Sequence, residues 1–312
     1  MSTALAETRV HGVRVAGEVE RRADLLYRQF VAEYLYPQEP VVLAGSVKTW
    51  PAVGKWTPRF FADRFPDREV EIKRPYKIAE LVDLIEQSDE DRKAPYLHAR
   101  KIRTLFPELL PDITPLPDFV APNWMCRRLR PAALGQWLND DTLIEFFLGG
   151  KAAGFPFLHW DERHYLTFVF QVYGEKLFYV YPPDQSPLLY PEPGRENVSL
   201  VGDVERPDLV KYPRFAEAAA RTCVLGPGDT LFIPPGWWHT TRMLTASISL
   251  STNTANAANW PAVVRDLRDV YREKHPRLAT PLAAYLRAVG WKWALKDKLA
   301  GPPGPDHAER QP

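Results

Sequence analysis

The chain has 312 residues, of which 45% are hydrophobic and 25% are charged. These fractions are ordinary for a folded protein, and they exclude a chain that is disordered throughout or built of fibrous repeats. The 40 basic and 39 acidic residues give a formal net charge of +1, which leaves no basic excess to follow a phosphate backbone. We therefore expect a folded protein without a nucleic-acid partner.

The cysteine content and the lack of long apolar runs bear on where the protein is located. The two cysteines, Cys126 and Cys223, are too few for a disulfide framework or a cysteine-rich zinc site. No stretch approaches the roughly 20 apolar residues that a membrane-spanning helix needs, and the first 15 residues do not follow the pattern of a secretory signal. The sequence predicts a cytoplasmic protein with reduced thiols and no membrane association.

Short elements separated by proline and glycine make up the first half of the chain. Thr57 directly before Pro58 is typical of a helix N-terminus, and residues 1–17 are expected to be a flexible N-terminus. Apolar periodicity predicts the following elements: helices at 18–36, 59–65 and 78–87, short strands at 40–45 and 69–73, and apolar segments at 134–137 and 142–148.

The segment from 155 to 253 is rich in aromatic and β-branched residues, with glycine and proline turns between its runs. The predicted strands lie at 165–173, 176–181, 222–225, 230–233 and 246–252. Short strands with such turns indicate an antiparallel sandwich or barrel. The Pro-rich insert at 186–220 is interpreted as a surface excursion. Beyond it, amphipathic helices are predicted at 260–271 and 281–295, followed by a disordered tail at 301–312.

Three residues in this segment have the chemistry of a metal site. In a strand, residues i and i+2 face the same way, so His159 and Asp161 can converge on one ion. His239 follows a turn, a buried strand and a Pro-Gly bend, which can supply a third ligand from a neighbouring strand. Two histidines and one carboxylate on one face of a metal leave positions open, as in non-haem Fe(II) oxygenases. The His-x-Asp pattern alone is weak evidence, because such tripeptides also occur in turns and on surfaces.

Several motifs in the same order make the signal more specific. The stretches are His159–Gln185, Leu225–His239, Pro40–Gly45, Trp50–Ala52 and Lys55–Thr57. Together they resemble the JmjC, or cupin-like, Fe(II)/2-oxoglutarate oxygenases, and most nearly the subgroup of the asparaginyl hydroxylase that inhibits hypoxia-inducible factor. The resemblance implies a mainly β fold with flanking helices, whose core over 18–255 is a double-stranded β-helix, or jelly roll.

The resemblance also implies roles for particular residues. His159, Asp161 and His239 would hold Fe(II), and Lys176, in Gly-Glu-Lys, would pair with the distal carboxylate of the cosubstrate 2-oxoglutarate. A buried ammonium needs such an anionic partner. Three further cosubstrate residues are implied: Tyr96, Thr167 and Asn253. A packed tyrosine and an ordinary strand-end asparagine are the alternative interpretations of Tyr96 and Asn253.

This chain departs from the subgroup's pattern just after Asp161, where two extra residues lie before the next strand. The departure puts Thr167 where the subgroup has an asparagine. His164 lies near the insertion, and a surface or hydrogen-bonded histidine is favoured there over one that lines the substrate pocket.

The function implied is an Fe(II)-, 2-oxoglutarate- and O₂-dependent hydroxylase acting on a side chain of a protein or peptide. Demethylation of N-methyl-lysine and hydroxylation of a small peptide or amino acid are alternatives within the class. A cupin-like binding or scaffold protein without catalysis is the alternative outside it. The C-terminal helices, at 256–300, are expected to cover the barrel or to form a homodimer.

Overall fold

Strands from both halves of the chain form two facing β-sheets in the computed structural model, which describes residues 9–127 and 144–302. In chain order the strands are β1 (Arg9–Val10), β2 (Val13–Glu18), β3 (Glu20–Ala23), β4 (Val41–Ala44), β5 (Glu69–Glu71), β6 (Pro75–Lys77), β7 (Leu97–Lys101), β8 (Ile144–Gly149), β9 (Leu166–Tyr173), β10 (Lys176–Tyr181), β11 (Pro191–Glu192), β12 (Arg195–Ser199), β13 (Ala220–Leu225), β14 (Thr230–Ile233), β15 (Trp238–Met243) and β16 (Ser247–Thr254). The larger sheet has the order β3-β4-β14-β9-β16-β8-β7, and the smaller one β1-β2-β13-β10-β15. Two further pairs, β5 with β6 and β11 with β12, stand apart.

The described helices flank these sheets. They are α1 (Tyr27–Phe30), which continues as a π-helical turn over Val31–Leu35, α2 (Ala52–Lys55), α3 (Pro58–Arg64), α4 (Ile78–Glu86), α5 (Ile102–Leu105), α6 (Trp260–Lys274) and α7 (Pro276–Ala300). As predicted, Thr57 caps α3, because its hydroxyl accepts a hydrogen bond of 3.0 Å from the Phe60 N–H. None of the described helices is long and apolar enough to cross a membrane. The cytoplasmic location stays a prediction.

Strand alternation explains how one run of buried residues serves two sides of a sheet. On β9, Phe168 and Phe170 pack with the helices in the main hydrophobic core, whereas Thr167 and Val169 line an internal cavity between the sheets. On β10, Lys176 and its same-face neighbours point into that space, while Leu177 and the tyrosines face the opposite way. The jelly-roll core with flanking helices is therefore confirmed.

Two N-terminal predictions differ from the structure. Residues 9–18, expected to be largely flexible, form β1 and β2, and β2 pairs in parallel with β13. Residues 20–23, expected to be helical, form β3 at the edge of the larger sheet, parallel to β4. The helical apolar pattern holds only from residue 25 onwards. The charged residues before it join the sheet through their backbone, and the Arg21 guanidinium forms an ion pair of 2.8 Å with Asp229.

The insert at 186–220 is not a surface excursion. Several of its apolar side chains are buried against the outer face of the smaller sheet, beside Leu177 and Tyr179. These residues are Leu189, Val201, Val204, Tyr212 and Phe215. The insert therefore supplies the covering layer that this sheet needs, although proline and polar residues hide its apolar pattern. The predicted apolar segment at 134–137 lies outside the described residues, and the described part of the one at 142–148 forms β8.

Helices α6 and α7 pack against each other and against the start of β9. Their shared cluster includes Trp124, Tyr165 and Trp260, and Trp124 lies edge-on to Trp260 with 5.4 Å between ring centroids. Gly290 permits the close approach, because a Cβ there would stand 2.2 Å from the Trp260 ring. Both predicted C-terminal helices are present, and both are longer than predicted.

Candidate metal centre

The backbone brings His159 and His239 opposite each other. The two residues form an antiparallel bridge, with the His159 N–H donating to His239 O at 3.1 Å and the His239 N–H donating to His159 O at 2.6 Å. Their rings lie 4.4 Å apart. Asp161 completes the group, with its carboxylate oxygens 3.8 Å from each Nε2. Within the described residues, this is the cluster of histidine and acid side chains whose donor atoms, all within 4.8 Å of one another, can hold a metal ion.

The two imidazoles present the same nitrogen to the centre of this group. His159 Nδ1 lies 3.4 Å from Phe157 O, and His239 Nδ1 lies 3.1 Å from Trp237 O. A carbonyl accepts a hydrogen bond from a protonated Nδ1, which leaves the Nε2 lone pair for a metal. Burial, and then the neighbouring His239 ring, lower the pKa of His159. The unprotonated imidazole that metal binding requires is therefore the favoured form.

Thr167 and Asn253, both predicted near the cosubstrate, also orient the acidic ligand. The Thr167 hydroxyl donates to Asp161 Oδ2 and lies 2.7 Å from Asn253 Oδ1. A hydroxyl has a single proton, and here Asp161 accepts it. With the oxygen and nitrogen of its side-chain amide exchanged, Asn253 therefore donates an N–H to the Thr167 hydroxyl. The second Asp161 oxygen stays directed towards His159.

Lys176 is buried, with 2% of its surface exposed. Its Nζ donates to Ser249 Oγ at 2.5 Å, and that hydroxyl donates to Gln171 Oε1 at 3.0 Å. The Tyr96 and Phe147 rings lie 5.9 and 5.5 Å away. No described acid forms an ion pair with this ammonium, and burial lowers the pKa of Lys176 to about 7. The site therefore fits an anionic ligand that supplies the missing charge.

Tyr96, Thr167 and Asn253 line the same cavity as the three candidate metal ligands and Lys176. Burial, and then Glu145, raise the pKa of Tyr96, so its hydroxyl keeps its proton and can donate to a carboxylate. Sequence reasoning did not find other wall residues: Glu145, Phe147, Phe155, Phe178, Thr241 and Ser251. Two signals in the sequence could have identified some of them. Serines recur at every second position of β16, which points to Ser251 as part of a polar strand face, and Glu145 is a single acid within an apolar run.

The two-residue insertion after Asp161 forms a turn held by α6. Arg163 and His164 have positive φ values of 62° and 51°, which fold the chain back within a few residues. His164 Nδ1 lies 2.6 Å from Asp266 on α6, and the Asn259 amide donates to His164 O at 2.8 Å. His164 is thus the hydrogen-bonded histidine that was favoured, and it does not line the cavity.

Comparison with known proteins places this architecture in a family. The profile of the cupin-like domain family matches residues 73–261, which include the whole ligand set. The chain belongs to the cupin-like domain family. The match agrees with the family resemblance of the motifs, whereas placement in the asparaginyl hydroxylase subgroup stays a prediction.

Similar curated proteins bear several names. The chain is 32% identical to lysine-specific demethylase 8 of Xenopus tropicalis over 71% of this chain and 49% of that protein. It is 30% identical to lysine-specific demethylase JMJ30 of Arabidopsis thaliana over 77% of this chain and 55% of that one. It is 26% identical to tRNA wybutosine-synthesizing protein 5 of Danio rerio over 79% of this chain and 77% of that protein. The chain spans about half the length of the two demethylases it matches.

The buried lysine predicts a pH dependence of anion affinity. We expect the metal-loaded protein to bind 2-oxoglutarate less tightly above about pH 7, with Kd rising roughly tenfold per pH unit. The reason is that the free Lys176, with its pKa lowered to about 7, must take up a proton when the dianion binds and raises that pKa again. Calorimetry with Mn(II) at a series of pH values measures this slope.

Lys176→Met is the control, because it should bind weakly at every pH and lose the slope. A wild-type affinity that stays constant from about pH 7 to pH 9 contradicts the assignment of Lys176, since the ligand carboxylates are ionised throughout that range.

Proposed function

We propose that this chain is an Fe(II)- and 2-oxoglutarate-dependent hydroxylase that acts on a C–H bond of a protein or peptide side chain. The observation that carries the proposal is the pairing, in one cavity, of two imidazoles and a carboxylate with a buried lysine that forms no ion pair with any described acid. The first set suits a divalent iron with open positions, and the second suits the far carboxylate of a dianionic cosubstrate.

The residues have distinct tasks in this proposal. His159, Asp161 and His239 would hold the metal, with Thr167 fixing the orientation of the carboxylate. Lys176 and the Tyr96 hydroxyl would bind the distal carboxylate of 2-oxoglutarate. When bound, iron, 2-oxoglutarate and O₂ supply the oxidant, with one oxygen atom entering the C–H bond and the other leaving in succinate as CO₂ is released.

The cavity wall contributes by excluding water. Phe147, Phe155, Val169 and Phe178 line it, and Phe155 stacks on the His159 ring with 4.4 Å between centroids. Apolar rings around a metal ligand restrict its motion and reduce access of solvent to the reacting centre. The net charge of +1 is the reason for proposing a protein rather than a nucleic acid as the substrate.

N-methyl-lysine demethylation is the second candidate, and the names of the demethylase relatives favour it. Hydroxylation of an N-methyl carbon needs the same cavity and ligands, so the two reactions differ in the substrate rather than in the metal site. A demethylated product loses a methyl group, whereas a hydroxylated product gains an oxygen atom. Whether the hydroxylation substrate is a protein side chain, a small peptide or a free amino acid is decided by which member of a peptide and amino-acid library reacts.

The activity is tested by 2-oxoglutarate consumption with Fe(II) and ascorbate, together with intact-mass screening of peptide and amino-acid libraries. We expect turnover by the wild type and a loss of at least about 100-fold in His159→Ala and Asp161→Ala, because a ligand matters at least as much as the groups that orient it. Equal, background-level consumption in all three proteins, without metal-dependent cosubstrate binding, supports the scaffold alternative and contradicts the proposal.

A homodimer through the C-terminal helices is the second testable part of the proposal. Trp291, Leu295 and Leu299 lie one turn apart on α7 and are 73%, 45% and 80% exposed, which is an apolar stripe suited to a second copy. Light scattering at micromolar concentration should give a dimer mass for the wild type and a monomer for Trp291→Glu/Leu295→Glu. Leu278→Glu, at the other end of α7 and also exposed, should stay dimeric. A monomeric wild type overturns this part.

A further inference from the structure

Thr241 lies on β15, two positions after the candidate metal ligand His239, and both residues line the internal cavity. Residues two apart on a strand face the same way, and those between them face the other way. Accordingly, Thr240 and Arg242 line a separate cleft beside Tyr179. Thr241 therefore belongs to the wall of the space in which the metal and the cosubstrate are proposed to bind.

The Thr241 hydroxyl oxygen is buried and has no hydrogen-bond partner among the described residues. A buried hydroxyl without a partner costs free energy, and such groups are rare in native proteins. Four other described side chains contain a buried polar atom in this condition: His98, Arg127, Tyr181 and Thr254. None of these four lines the cavity. Of this set, Thr241 is thus the residue placed to bond a molecule in the cavity.

The pairing of β15 with β10 places Thr241 between His239 and Lys176. Thr241 pairs with Phe178, and the next residue on the same face, Met243, pairs with Lys176. Thr241 and Lys176 are therefore diagonal neighbours on one face of the sheet, a separation that a long side chain can cross. A group bound by the Lys176 ammonium can thus also contact Thr241.

Tyr96 lies at the same end of the cavity as Lys176. A Cβ at Gly149 would stand 2.6 Å from Met243 Sδ and 2.8 Å from Tyr96 Cδ2, so these two side chains meet beside Gly149. The Lys176 Nζ lies 5.9 Å from the centre of the Tyr96 ring. A ligand that extends from the metal ligands to Lys176 and Tyr96 therefore passes Thr241.

The distal carboxylate of the proposed cosubstrate has capacity for another hydrogen-bond donor. A carboxylate accepts about four hydrogen bonds, and an ammonium group has three N–H donors. Lys176 uses one of its donors on Ser249, which leaves two, and the Tyr96 hydroxyl adds another. The Thr241 hydroxyl would complete this set.

Resting on the proposed oxygenase function, we propose that Thr241 is a cosubstrate-binding residue whose hydroxyl donates a hydrogen bond to the distal carboxylate of 2-oxoglutarate. The bond would give this hydroxyl the partner that it lacks in the protein alone. Phe178 lies opposite Thr241, and the Phe155 N–H donates to Thr241 O at 3.2 Å. In such apolar surroundings a hydrogen bond to a charged group is stronger than in water. Thr241 thereby favours a diacid over a keto acid with an apolar end.

The test compares two ligands by calorimetry under argon, with Mn(II) in place of iron so that affinity is measured without turnover. One ligand is 2-oxoglutarate. The other is 2-oxopentanoate, which has the same carbon chain and the same keto acid end but a methyl group in place of the distal carboxylate. The titrations are carried out below pH 7, where Lys176 keeps its proton.

Thr241→Val keeps the shape of the side chain and removes the hydroxyl. We expect its Kd for 2-oxoglutarate to rise about tenfold, as for the loss of a hydrogen bond to a charged group, and its Kd for 2-oxopentanoate to stay unchanged. Thr241→Ser, which keeps a hydroxyl, should bind 2-oxoglutarate nearly as the wild type does. The Tm of the ligand-free Thr241→Val protein should not fall, because the removed hydroxyl has no partner to lose.

Thr240→Val is the matched control. It makes the same chemical change at the adjacent position of β15, where the side chain faces away from the cavity. This variant should bind both ligands with the affinity of the wild type. A weakening by Thr240→Val equal to that by Thr241→Val would show a general effect on the strand and overturn the specific role of Thr241.

Failure of this inference is distinguishable from failure of the proposed function. Equal 2-oxoglutarate affinity of the wild type and Thr241→Val, or an equal loss of affinity for both ligands, overturns the bond to the distal carboxylate and leaves the oxygenase proposal intact. Absence of metal-dependent 2-oxoglutarate binding by the wild type instead overturns the oxygenase proposal, on which the role of Thr241 depends.

Discussion

The backbone bridge between His159 and His239 is the constraint on which the candidate site depends. Two reciprocal hydrogen bonds fix residues eighty positions apart within one antiparallel pair. Both Nδ1 atoms face backbone carbonyls, so both Nε2 atoms face Asp161. The ligand geometry is thus built into the sheet rather than left to flexible side chains, which is how rigid elements preorganise a metal site.

Around this bridge the jelly roll encloses an unusual set of charges. Lys176 lies between the sheets, where no described acid forms an ion pair with it, and Glu145 lies on the cavity wall formed by β8, directly opposite Lys101 of β7 in the register. The Lys176 ammonium donates to Ser249 on β16, and the Glu145 carboxyl group accepts from Ser251 on the same strand. Unpaired buried charges are costly for folding, and they are expected where ligands supply the missing partners.

Sequence reasoning reached the parts of the site that short motifs encode. His159 and Asp161 stand two positions apart, but this spacing alone was weak evidence. Several motifs in one order, through the family resemblance they carry, were needed to single out His239 and Lys176 as well. Glu145 and Ser251 escaped because their meeting depends on the pairing of β8 with β16, strands separated by about 100 residues. An acid in an apolar run has no periodicity that reveals which strand it will oppose.

The errors in the fold have a similar origin. Residues 20–23 became an edge strand through backbone pairing with β4, which the strong helical periodicity just after them concealed. The insert at 186–220 looked like a loop because its buried residues, such as Val201 and Phe215, are dispersed among prolines and charges. In both cases tertiary contacts decided the structure where local propensity was weak or misleading.

Titration of the metal-free protein with Mn(II) under argon, followed by calorimetry, tests the central claim most directly. The account predicts one ion per chain, with affinity reduced at least about 100-fold in His239→Ala and in Asp161→Ala. His164→Gln, which changes a histidine bound to Asp266 outside the cavity, should bind the ion as the wild type does. Binding that is unaffected by the loss of His239 or Asp161, or no binding by the wild type, would contradict a metal centre at this bridge.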